Sequence, residues 1–379
     1  MPPPREPDSS LSVLHAVQPG DGGVARVVAD LVRDQLRAGM RVTVACPPGT
    51  SLAAAVRAEG ADVYAWRAGR DPGPRLVRET LGLARLIRTA RPDLVHAHSA
   101  KAGLCARLAL RGALPTVYQP HAWSFEAVEG TVAALARRWE RRAARWTQRI
   151  VCVSEAERRT GEEAGVRASW SVIHNGVDVA RFAGAAVPGR SDDGPVVVCV
   201  GRLCRQKGQD ILLAAWPGIL AQAPTARLVL VGDGPDGERL RAEAPPSVRF
   251  TGAVDDTTPW YRAADLVVLP SRWEGMALAP LEAMASGRPV VVTDVDGARE
   301  SLPPGTEPLC LVPPGDPAAL ADAVGRLLGR PELRRSLGRQ AHEHVLSRFD
   351  VRRTGAAVAD VYRELAGARS TEHREPISP

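Results

Sequence analysis

Two cations and two carboxylates occupy loops that follow apolar runs in the second half of the chain. Arg202 and Lys207 come directly after PVVVCVG, and Glu274 and Glu282 come after LVVLP. Paired cations can bind both phosphates of a diphosphate, and carboxylates accept hydrogen bonds from ribose or sugar hydroxyls. The spacing favours a site for a sugar-bearing nucleotide. A solvated basic loop is the alternative for the cations, and stabilisation of a helix dipole is the alternative for Glu282.

Backbone amides form a second group of candidate ligands for phosphate. The loop after Glu274 leads into a helix whose first turn contains Pro280, so its N–H groups can point at a phosphate. The residues of this loop are Gly275, Met276, Ala277 and Leu278. Gly22 and Gly23 open the first helix in the same way, although a tight turn between strand and helix explains them equally well.

Histidines supply the remaining candidate chemistry. His121 follows the PTVYQP strand and should lie at the functional edge of the sheet. His96 and His98 alternate on the DLVHAH strand, which favours packed positions on one face, and His15 is interpreted as a structural or surface residue. No histidine spacing typical of a zinc site occurs. We therefore expect neither a metal ion nor any other cofactor.

The segment Gly232–Gly237 fits the G-x-G-x-x-G pattern of dinucleotide-binding proteins. Pro235 has no N–H to donate, and Asp233 and Asp236 place negative charge where a pyrophosphate would lie. A turn followed by a helix start is the better interpretation.

Apolar runs that alternate with helical patterns predict two doubly wound α/β domains with parallel sheets. Their ligands are expected where strand ends face a cleft between the domains. We place the first domain at 1–184 and the second domain at 195–350. The segment 351–366 is predicted as a helix that packs back on the first domain, and 367–379 as a disordered tail.

Composition narrows the class of protein further. The 379 residues carry a net charge of +6, which is too diffuse to indicate nucleic acid binding, and the six scattered cysteines favour reduced, buried thiols. No signal peptide or membrane span is recognisable, so we expect a cytoplasmic protein. A basic, partly apolar helix predicted over 131–150 could contact the inner face of a membrane, although a packed domain helix is the preferred interpretation.

Taken together, these segments resemble the family 4 retaining glycosyltransferases of the glycosyltransferase-B fold. The likeness covers nearly the whole chain and is most specific in the second half. Its motifs are G-R-L-x-x-x-K-G from Gly201, L-V-G-D-G-P from Leu230, E-x7-E from Glu274, the glycines Gly22 and Gly23, His121, and N-G-V-D from Asn175. Two departures are His174 in place of a proline and Met276-Ala277 in place of Phe-Gly.

The resemblance implies a role for each of these residues. Arg202 and Lys207 would bind the diphosphate, Glu282 the ribose and Glu274 the sugar, while His121 would orient the reacting sugar. The donor phosphate would deprotonate the acceptor on the same face, so that the anomeric configuration is retained without a metal ion. The resemblance makes 1–184 the acceptor-side domain and 195–350 the nucleotide-sugar domain, and it places Lys101 and Asn175 on the acceptor side.

The predicted function is transfer of a sugar from a nucleotide diphosphate sugar to a small-molecule or lipid-linked acceptor in bacterial glycoconjugate or secondary-metabolite biosynthesis. UDP-sugars such as UDP-GlcNAc or UDP-Glc are the first choice of donor and GDP-mannose the second. Two alternatives stay open from the sequence: a catalytically silent nucleotide-sugar-binding protein and a nucleotide-sugar epimerase of the same fold.

Overall fold

A computed structural model of the protein describes residues 11–184 and 194–372, which form two compact units. Unit 1 contains Met1–Val153, Glu157–Ile173 and Arg352–Pro379, and unit 2 contains Ser154–Ala156 and His174–Val351. The division assigns residues 174–184 to unit 2, whereas we expected them in the first domain. Most of the connection predicted between 184 and 195 lies outside the described residues.

Unit 1 is built on a seven-stranded parallel sheet with the order β3-β2-β1-β4-β5-β6-β7. The DLVHAH and PTVYQP strands predicted from the sequence are present as β4 and β5. The elements are β1 Ser12–Val17, α1 Gly23–Arg37, β2 Arg41–Cys46, α2 Ser51–Ala58, β3 Asp62–Ala65, α3 Leu76–Ala90, β4 Leu94–His98, α4 Ser99–Leu110, β5 Thr116–Gln119, α5 Gly130–Ala143, β6 Arg149–Cys152, α6 Glu155–Glu163 and β7 Trp170–Val172.

Unit 2 is built on a six-stranded parallel sheet with the order β10-β9-β8-β11-β12-β13. Its elements are α7 Val179–Phe182, β8 Val196–Val200, α8 Gln209–Gln222, β9 Arg227–Val231, α9 Gly237–Glu243, β10 Val248–Phe250, α10 Thr258–Ala263, β11 Leu266–Leu269, α11 Leu278–Ala285, β12 Val290–Thr293, α12 Ala298–Ser301, α13 Glu307–Cys310, β13 Leu311–Val312, α14 Pro317–Leu328 and α15 Pro331–Arg348.

Both sheets are doubly wound, and this determines where side chains can meet. The strand order reverses between β1 and β4 in unit 1 and between β8 and β11 in unit 2. In unit 1 the register pairs Val17 with His98. Because all strands are parallel, their carboxyl ends lie at one edge, and a ligand site is expected at the reversal. The α/β fold class predicted from the sequence is confirmed.

Burial explains why these runs form strands. Strands β1, β4 and β11 are buried along their full length, as expected for parallel strands covered by helices on both faces. Helix α1 packs through an apolar stripe in which Val28, Leu31 and Val32 are buried. All six cysteines are buried and free, as the sequence indicated.

The helix predicted over 131–150 is shorter than expected. Helix α5 ends at Ala143, and Ile150 lies in β6 because the backbone there bonds to the neighbouring strands. The predicted packing is also wrong for two apolar residues, since Val132 and Leu135 are 56% and 66% exposed. The helix packs instead through Ala133, Glu140 and Ala143.

The last helix, α16, spans Val351–Glu372, and from Arg352 onward it belongs to unit 1. It continues six residues past the helix end that we predicted at 366, into the segment expected to be disordered. The remainder of that predicted tail, 373–379, lies outside the described residues.

Candidate active site

The loop that contains Arg202 and Lys207, here called the cation loop, follows β8 in unit 2. The Arg202 side chain is exposed and has no hydrogen-bond or ion-pair partner among the residues that the structure describes. Lys207 lies in a short 3-10 helix, and its Nζ is 2.5 Å from Glu274 Oε1. Ser271 Oγ donates to the same carboxylate oxygen at 2.7 Å. The structure thus brings Lys207 and Glu274 together, and Arg202 keeps a guanidinium available to an anion.

The glycine-rich turn after β9 packs closely against the backbone of the cation loop. A Cβ on Gly232, which has φ 135°, would lie 2.2 Å from the carbonyl oxygen of Gly201. The Leu203 amide donates to the Asp233 carbonyl at 3.0 Å. Glycine is needed here for close backbone packing, which agrees with interpreting this segment as a turn rather than as a dinucleotide site.

The predicted amide loop, Gly275 to Leu278, is fixed through its carbonyl groups. Ser154 Oγ donates to the Gly275 carbonyl at 2.9 Å, and Asn175 Nδ2 donates to the Met276 carbonyl at 2.7 Å. A Cβ on Gly297 would lie 2.1 Å from the Gly275 carbonyl oxygen. Within the described ranges, the amides of Gly275, Met276 and Ala277 donate to no backbone carbonyl. These N–H groups and the amino end of α11 can therefore donate to a phosphate.

Asn175 was predicted on the acceptor side of the first domain. It belongs instead to unit 2, is 4% exposed and holds the amide loop. The one asparagine of the chain is thus explained by a requirement for a side-chain N–H donor at this position.

Glu282 lies in the second turn of α11 and is 1% exposed. Tyr261 Oη donates to its Oε2 at 2.8 Å. Tyr261 is itself fully buried, so it fixes the orientation of the carboxylate. The sequence did not point to Tyr261, because its pairing with Glu282 depends on how α10 packs against α11.

Glu300 is a further acidic residue that the sequence did not single out. Its carboxylate accepts hydrogen bonds from the amides of Glu155 and Ala156, both at 2.8 Å, and from His174 Nε2 at 3.1 Å. Burial raises the pKa of Glu300, but the bonds from His174 and the two amides outweigh it and leave the pKa below its ordinary value. Glu300 is therefore a charged anchor for the backbone next to Ser154.

In unit 1, Gly22 and Gly23 lie at the amino end of α1, as predicted. Gly22 precedes the helix with φ 84°, and both glycines are exposed. No side chain caps the helix, because the neighbouring Asp21 accepts from the Ser51 amide at 2.8 Å instead. The first amides of α1 are thus open to an anionic ligand.

His121 lies on a strained turn after β5. Its φ is 58° and that of Ala122 is 107°, values that side-chain-bearing residues rarely adopt and that cost about 1 to 3 kcal/mol each. Glu157, which is fully buried, holds the turn by accepting from the Ala122 amide at 2.6 Å and the Val153 amide at 2.7 Å. Glu157 could not be identified from sequence patterns, since it lies on a helix 36 residues after His121.

The His121 side chain belongs to a cluster of four histidines. Its Nε2 is 3.1 Å from His98 Nδ1, and His98 Nε2 is 3.0 Å from His15 Nδ1. Burial lowers the pKa of His15 to about 4 and that of His121 to about 3, and it holds the pKa of His96 and His98 well below the ordinary value. All four imidazoles are therefore neutral at pH 7. His15 is a buried structural residue, one of the two interpretations that the sequence left open.

The same cluster contains the group of described residues that could hold a metal ion. One ring nitrogen from each of His15, His96 and His98 lies within 4.8 Å of the others. The 3.0 Å contact between His15 and His98 is a hydrogen-bond distance, so a proton occupies the space between these two nitrogens. That no metal binds this protein stays a prediction.

Lys101 was predicted near the acceptor. Its side chain is 2% exposed, and its Nζ lies 2.6 Å from Glu79 Oε2 and 2.9 Å from the Asp71 carbonyl oxygen. Glu79 also accepts from the Gly69 amide at 2.8 Å. In this structure Lys101 anchors the segment before α3 and does not present its ammonium group to a ligand.

Comparison with known proteins identifies the family of this chain. Residues 21–181 match the family described as Glycosyltransferase Family 4, and residues 194–330 match Glycosyl transferases group 1. The chain is 32% identical to D-inositol 3-phosphate glycosyltransferase 2 of Catenulispora acidiphila, over 96% of this chain and 95% of that protein. The protein belongs to glycosyltransferase family 4. It is an enzyme that uses a nucleotide sugar, as the sequence predicted.

Two further known proteins resemble this glycosyltransferase. The chain is similar to Anabaena Alr3699/HepE, crystallised in complex with UDP and glucose, with a TM-score of 0.79 and 25% identity over 93% of this chain and 99% of that one. It is also 30% identical to an Escherichia coli UDP-Gal:alpha-D-GlcNAc-diphosphoundecaprenol alpha-1,3-galactosyltransferase, over 58% of this chain and 62% of that protein. The expected glycosyltransferase-B fold is confirmed.

None of the helices in the described ranges is both long enough and apolar enough to cross a bilayer.

Proposed function

We propose that this glycosyltransferase transfers a hexose from a UDP-sugar, with retention of configuration and without a metal ion, to an acceptor used in bacterial glycoconjugate or secondary-metabolite biosynthesis. UDP-Glc and UDP-GlcNAc are the first donors to test. The complex of the Anabaena relative with UDP and glucose supports this choice of donor.

The amide loop of unit 2 is the observation that carries the proposal. Its carbonyls are held by Ser154 and Asn175, which leaves the amides of Gly275 to Ala277 available as donors. Together with the Arg202 guanidinium and the Lys207 ammonium, these groups can stabilise the charge that develops on a leaving diphosphate. Neutralisation by fixed donors and cations removes the need for a metal ion in this role.

The proposed reaction exchanges one bond at the anomeric carbon for another. The bond from this carbon to the β-phosphate oxygen breaks, and a bond to the acceptor oxygen forms on the same face. The acceptor hydroxyl gives its proton to the departing phosphate. Glu274, positioned by Lys207 and Ser271, accepts hydrogen bonds from the sugar, and His121 orients the same sugar. Glu282 binds the ribose.

The donor is tested by incubating the purified protein with a panel of UDP-, GDP- and dTDP-sugars in the presence of EDTA. We expect slow release of UDP from one UDP-sugar and a loss of about 100-fold in Glu282→Gln, which keeps the size of the side chain. Glu238→Gln, on the exposed start of α9, serves as the matched control. Turnover that requires added Mg²⁺ would exclude metal independence, and turnover of GDP-mannose alone would exclude the UDP-sugar.

Retention is tested separately, by following the anomeric proton of newly released sugar by NMR before mutarotation. We expect the α-anomer from an α-linked donor. The β-anomer as first product would exclude the retaining mechanism.

A surface of unit 1 supports a lipid-linked acceptor. Four of the large exposed apolar side chains lie on α3 and α5: Val77, Leu81, Val132 and Leu135. Each of these helices follows a strand of the parallel sheet, so both begin at the carboxyl edge of that sheet. Exposed arginines lie on the same two helices: Arg78, Arg85, Arg88, Arg137, Arg138, Arg141 and Arg142.

Apolar side chains interspersed with arginines match the chemistry of an anionic bilayer surface. The name of the Escherichia coli relative, which contains a diphosphoundecaprenol acceptor, supports the same acceptor class. We therefore propose that the helix pair α3 and α5 contacts an anionic membrane that carries the acceptor.

Vesicle sedimentation tests this contact. We expect binding to vesicles that contain phosphatidylglycerol, weak binding to pure phosphatidylcholine, and a loss of binding of at least fivefold in Val132→Ser/Leu135→Ser. Leu346→Ser, which removes a comparably exposed leucine from α15 of unit 2, is the matched control. Equal binding of both variants, or no binding of the wild type, would contradict this membrane contact.

A further inference from the structure

A chain of hydrogen bonds runs from helix α1 to His121 through the interior of unit 1. Gln35 Oε1 is 2.8 Å from His15 Nε2, His15 Nδ1 is 3.0 Å from His98 Nε2, and His98 Nδ1 is 3.1 Å from His121 Nε2. The strand reversal between β1 and β4 brings His15 and His98 together. Three side chains remote in sequence thus connect to the residue proposed to orient the sugar.

Burial leaves these groups few alternative partners. Gln35 is 1% exposed, and His15 and His98 are fully buried. A neutral imidazole has one N–H donor and one lone pair, so each ring that donates through one nitrogen accepts through the other. The position of the proton on one ring therefore determines the position on the next ring along the chain.

The amide oxygen of Gln35 determines which nitrogens donate and which accept along the chain, because this oxygen can only accept a hydrogen bond. His15 therefore carries its proton on Nε2, and its Nδ1 accepts from the Nε2–H of His98. The Nδ1 of His98 in turn accepts from the Nε2–H of His121. This leaves the Nδ1 of His121 with a lone pair and no proton.

We infer that Gln35, His15 and His98 are positioning residues that hold His121 neutral in its Nε2–H form, so that His121 Nδ1 accepts a hydrogen bond from a hydroxyl of the transferred sugar. The contact with the sugar rests on the proposed function, whereas the form of His121 follows from the hydrogen bonds of unit 1. In the opposite tautomer, Nδ1 would carry a proton and could not accept this hydrogen bond.

Two neighbours hold the central ring of the chain in place. The ring of His96 packs against that of His98 with centroids 3.9 Å apart, and His96 Nδ1 is 2.6 Å from Tyr362 Oη. Tyr362 is fully buried on α16. Close packing on this side opposes rotation of the His98 ring, which would exchange its two nitrogens and break the chain.

Nitrogen-15 NMR of protein labelled at histidine tests the inference directly, because the shifts of the two ring nitrogens report which one is protonated. We expect His121 in the wild type at pH 7 to show protonated Nε2 and unprotonated Nδ1, with its signals assigned from the His121→Ala spectrum. A protonated Nδ1 on His121 would overturn the inference. This measurement requires no variant beyond the one used for assignment.

Two substitutions of similar size at Gln35 separate positioning from simple packing. Gln35→Leu removes the acceptor oxygen, and we expect a mixture of His121 tautomers with kcat lowered about tenfold and KM for the donor changed less than twofold. Gln35→Glu keeps an oxygen facing His15 and should restore the single tautomer and most of kcat. Equal loss in both variants, or an unchanged tautomer in Gln35→Leu, would contradict the inference.

Activity of His121→Ala distinguishes this inference from the proposed function. Full activity in that variant would show that His121 does not act on the sugar, while the wild-type NMR spectrum would still decide the direction of the chain.

Elemental analysis of the purified protein tests the remaining alternative, which is a metal ion bound by the histidine cluster. A stoichiometric metal ion that is lost in His96→Ala would overturn the inference, because coordination would occupy the lone pairs that the hydrogen bonds require.

Discussion

The two units differ in where some of their ionisable groups lie. Unit 1 encloses several of them: Arg107 and Glu140 form a bidentate pair at 0% and 1% side-chain exposure, and His15 and His98 are neutral and fully buried. Unit 2 presents its cations at the carboxyl edge of its sheet, where Arg202 is exposed and the side chain of Lys207 is 21% exposed.

This difference matches two binding tasks, that of a charged diphosphate and that of a neutral sugar. A diphosphate is bound by positive charges, and a cation that stays partly hydrated can exchange water for phosphate without a large desolvation cost. A neutral sugar is held by directed hydrogen bonds, which depend on fixed orientation. The buried charges of unit 1 therefore suit a structural role, whereas the accessible charges of unit 2 suit the proposed binding of a diphosphate.

The largest effect on stability is expected from breaking the buried pair of unit 1. Glu140→Ala leaves the Arg107 guanidinium buried without its carboxylate and should lower the free energy of unfolding by about 3 to 5 kcal/mol, measured by urea denaturation. Glu243→Ala removes one of the two acidic partners of the exposed Arg239 and should change the free energy of unfolding by less than about 1 kcal/mol. Similar losses in both variants would remove the contrast between scaffold and surface charges.

In unit 2, the comparison predicts a loss of activity without a loss of stability. Lys207→Met removes the ammonium and should lower kcat/KM for the donor about 100- to 1,000-fold, since one stabilising group on the developing charge is lost. The unfolding midpoint should stay close to that of the wild type. Arg239→Met, which removes an exposed cation from α9, should leave kcat/KM unchanged. A stability loss like that of Glu140→Ala would place Lys207 among the scaffolding charges.

The strained turn of His121 provides an intermediate test. Glu157→Gln replaces one acceptor oxygen with an N–H group that faces a backbone N–H, and should lower the free energy of unfolding by about 2 to 3 kcal/mol. We also expect lower kcat, because the turn presents His121. Glu162→Gln, half-exposed on the same helix, is the control. An unchanged free energy of unfolding and an unchanged kcat in Glu157→Gln would mean that the turn keeps its conformation without this carboxylate.

The smallest effect is the pH dependence of unit 1. Burial lowers the pKa of His15 to about 4, against about 6.5 in the unfolded chain, so the unfolded state binds more protons at mildly acidic pH. Stability should be complete above pH 6.5 and fall with pH, with His15 contributing about 2 kcal/mol of loss at pH 5. Urea denaturation at pH 7 and pH 5 measures this fall in the free energy of unfolding. The fall should be smaller by about 2 kcal/mol in His15→Asn. An identical fall in both proteins would show that His15 is not the group responsible.

Much of unit 2 could be predicted from the sequence because its site residues are close together along the chain. Glu274 and the amide loop are consecutive, and Arg202 and Lys207 share one loop, so local spacing determines what they can bind. Glu282 was predicted for the same reason. Tyr261 and Glu300 were missed because each acts on a site residue through packing between separate elements.

In unit 1 local spacing was a weaker guide. The position of His121 at a strand end was predicted, but the carboxylate that holds its turn and the histidines that bond to it come from other elements. Lys101 shows the opposite case. The family resemblance placed it on the acceptor side, and its burial beside Glu79 shows a structural pairing instead.

The sequence by itself determined the two parallel sheets, the order of their strands along the chain and the motifs of a nucleotide-sugar enzyme. Periodicity and strand-end position are local properties, and they survive in a one-dimensional pattern. Only the tertiary structure decided which buried group faces which. The hydrogen bonds from Gln35 to His121 connect residues up to 83 positions apart, and the adjacent strands β1 and β4 of the doubly wound sheet bring them within reach.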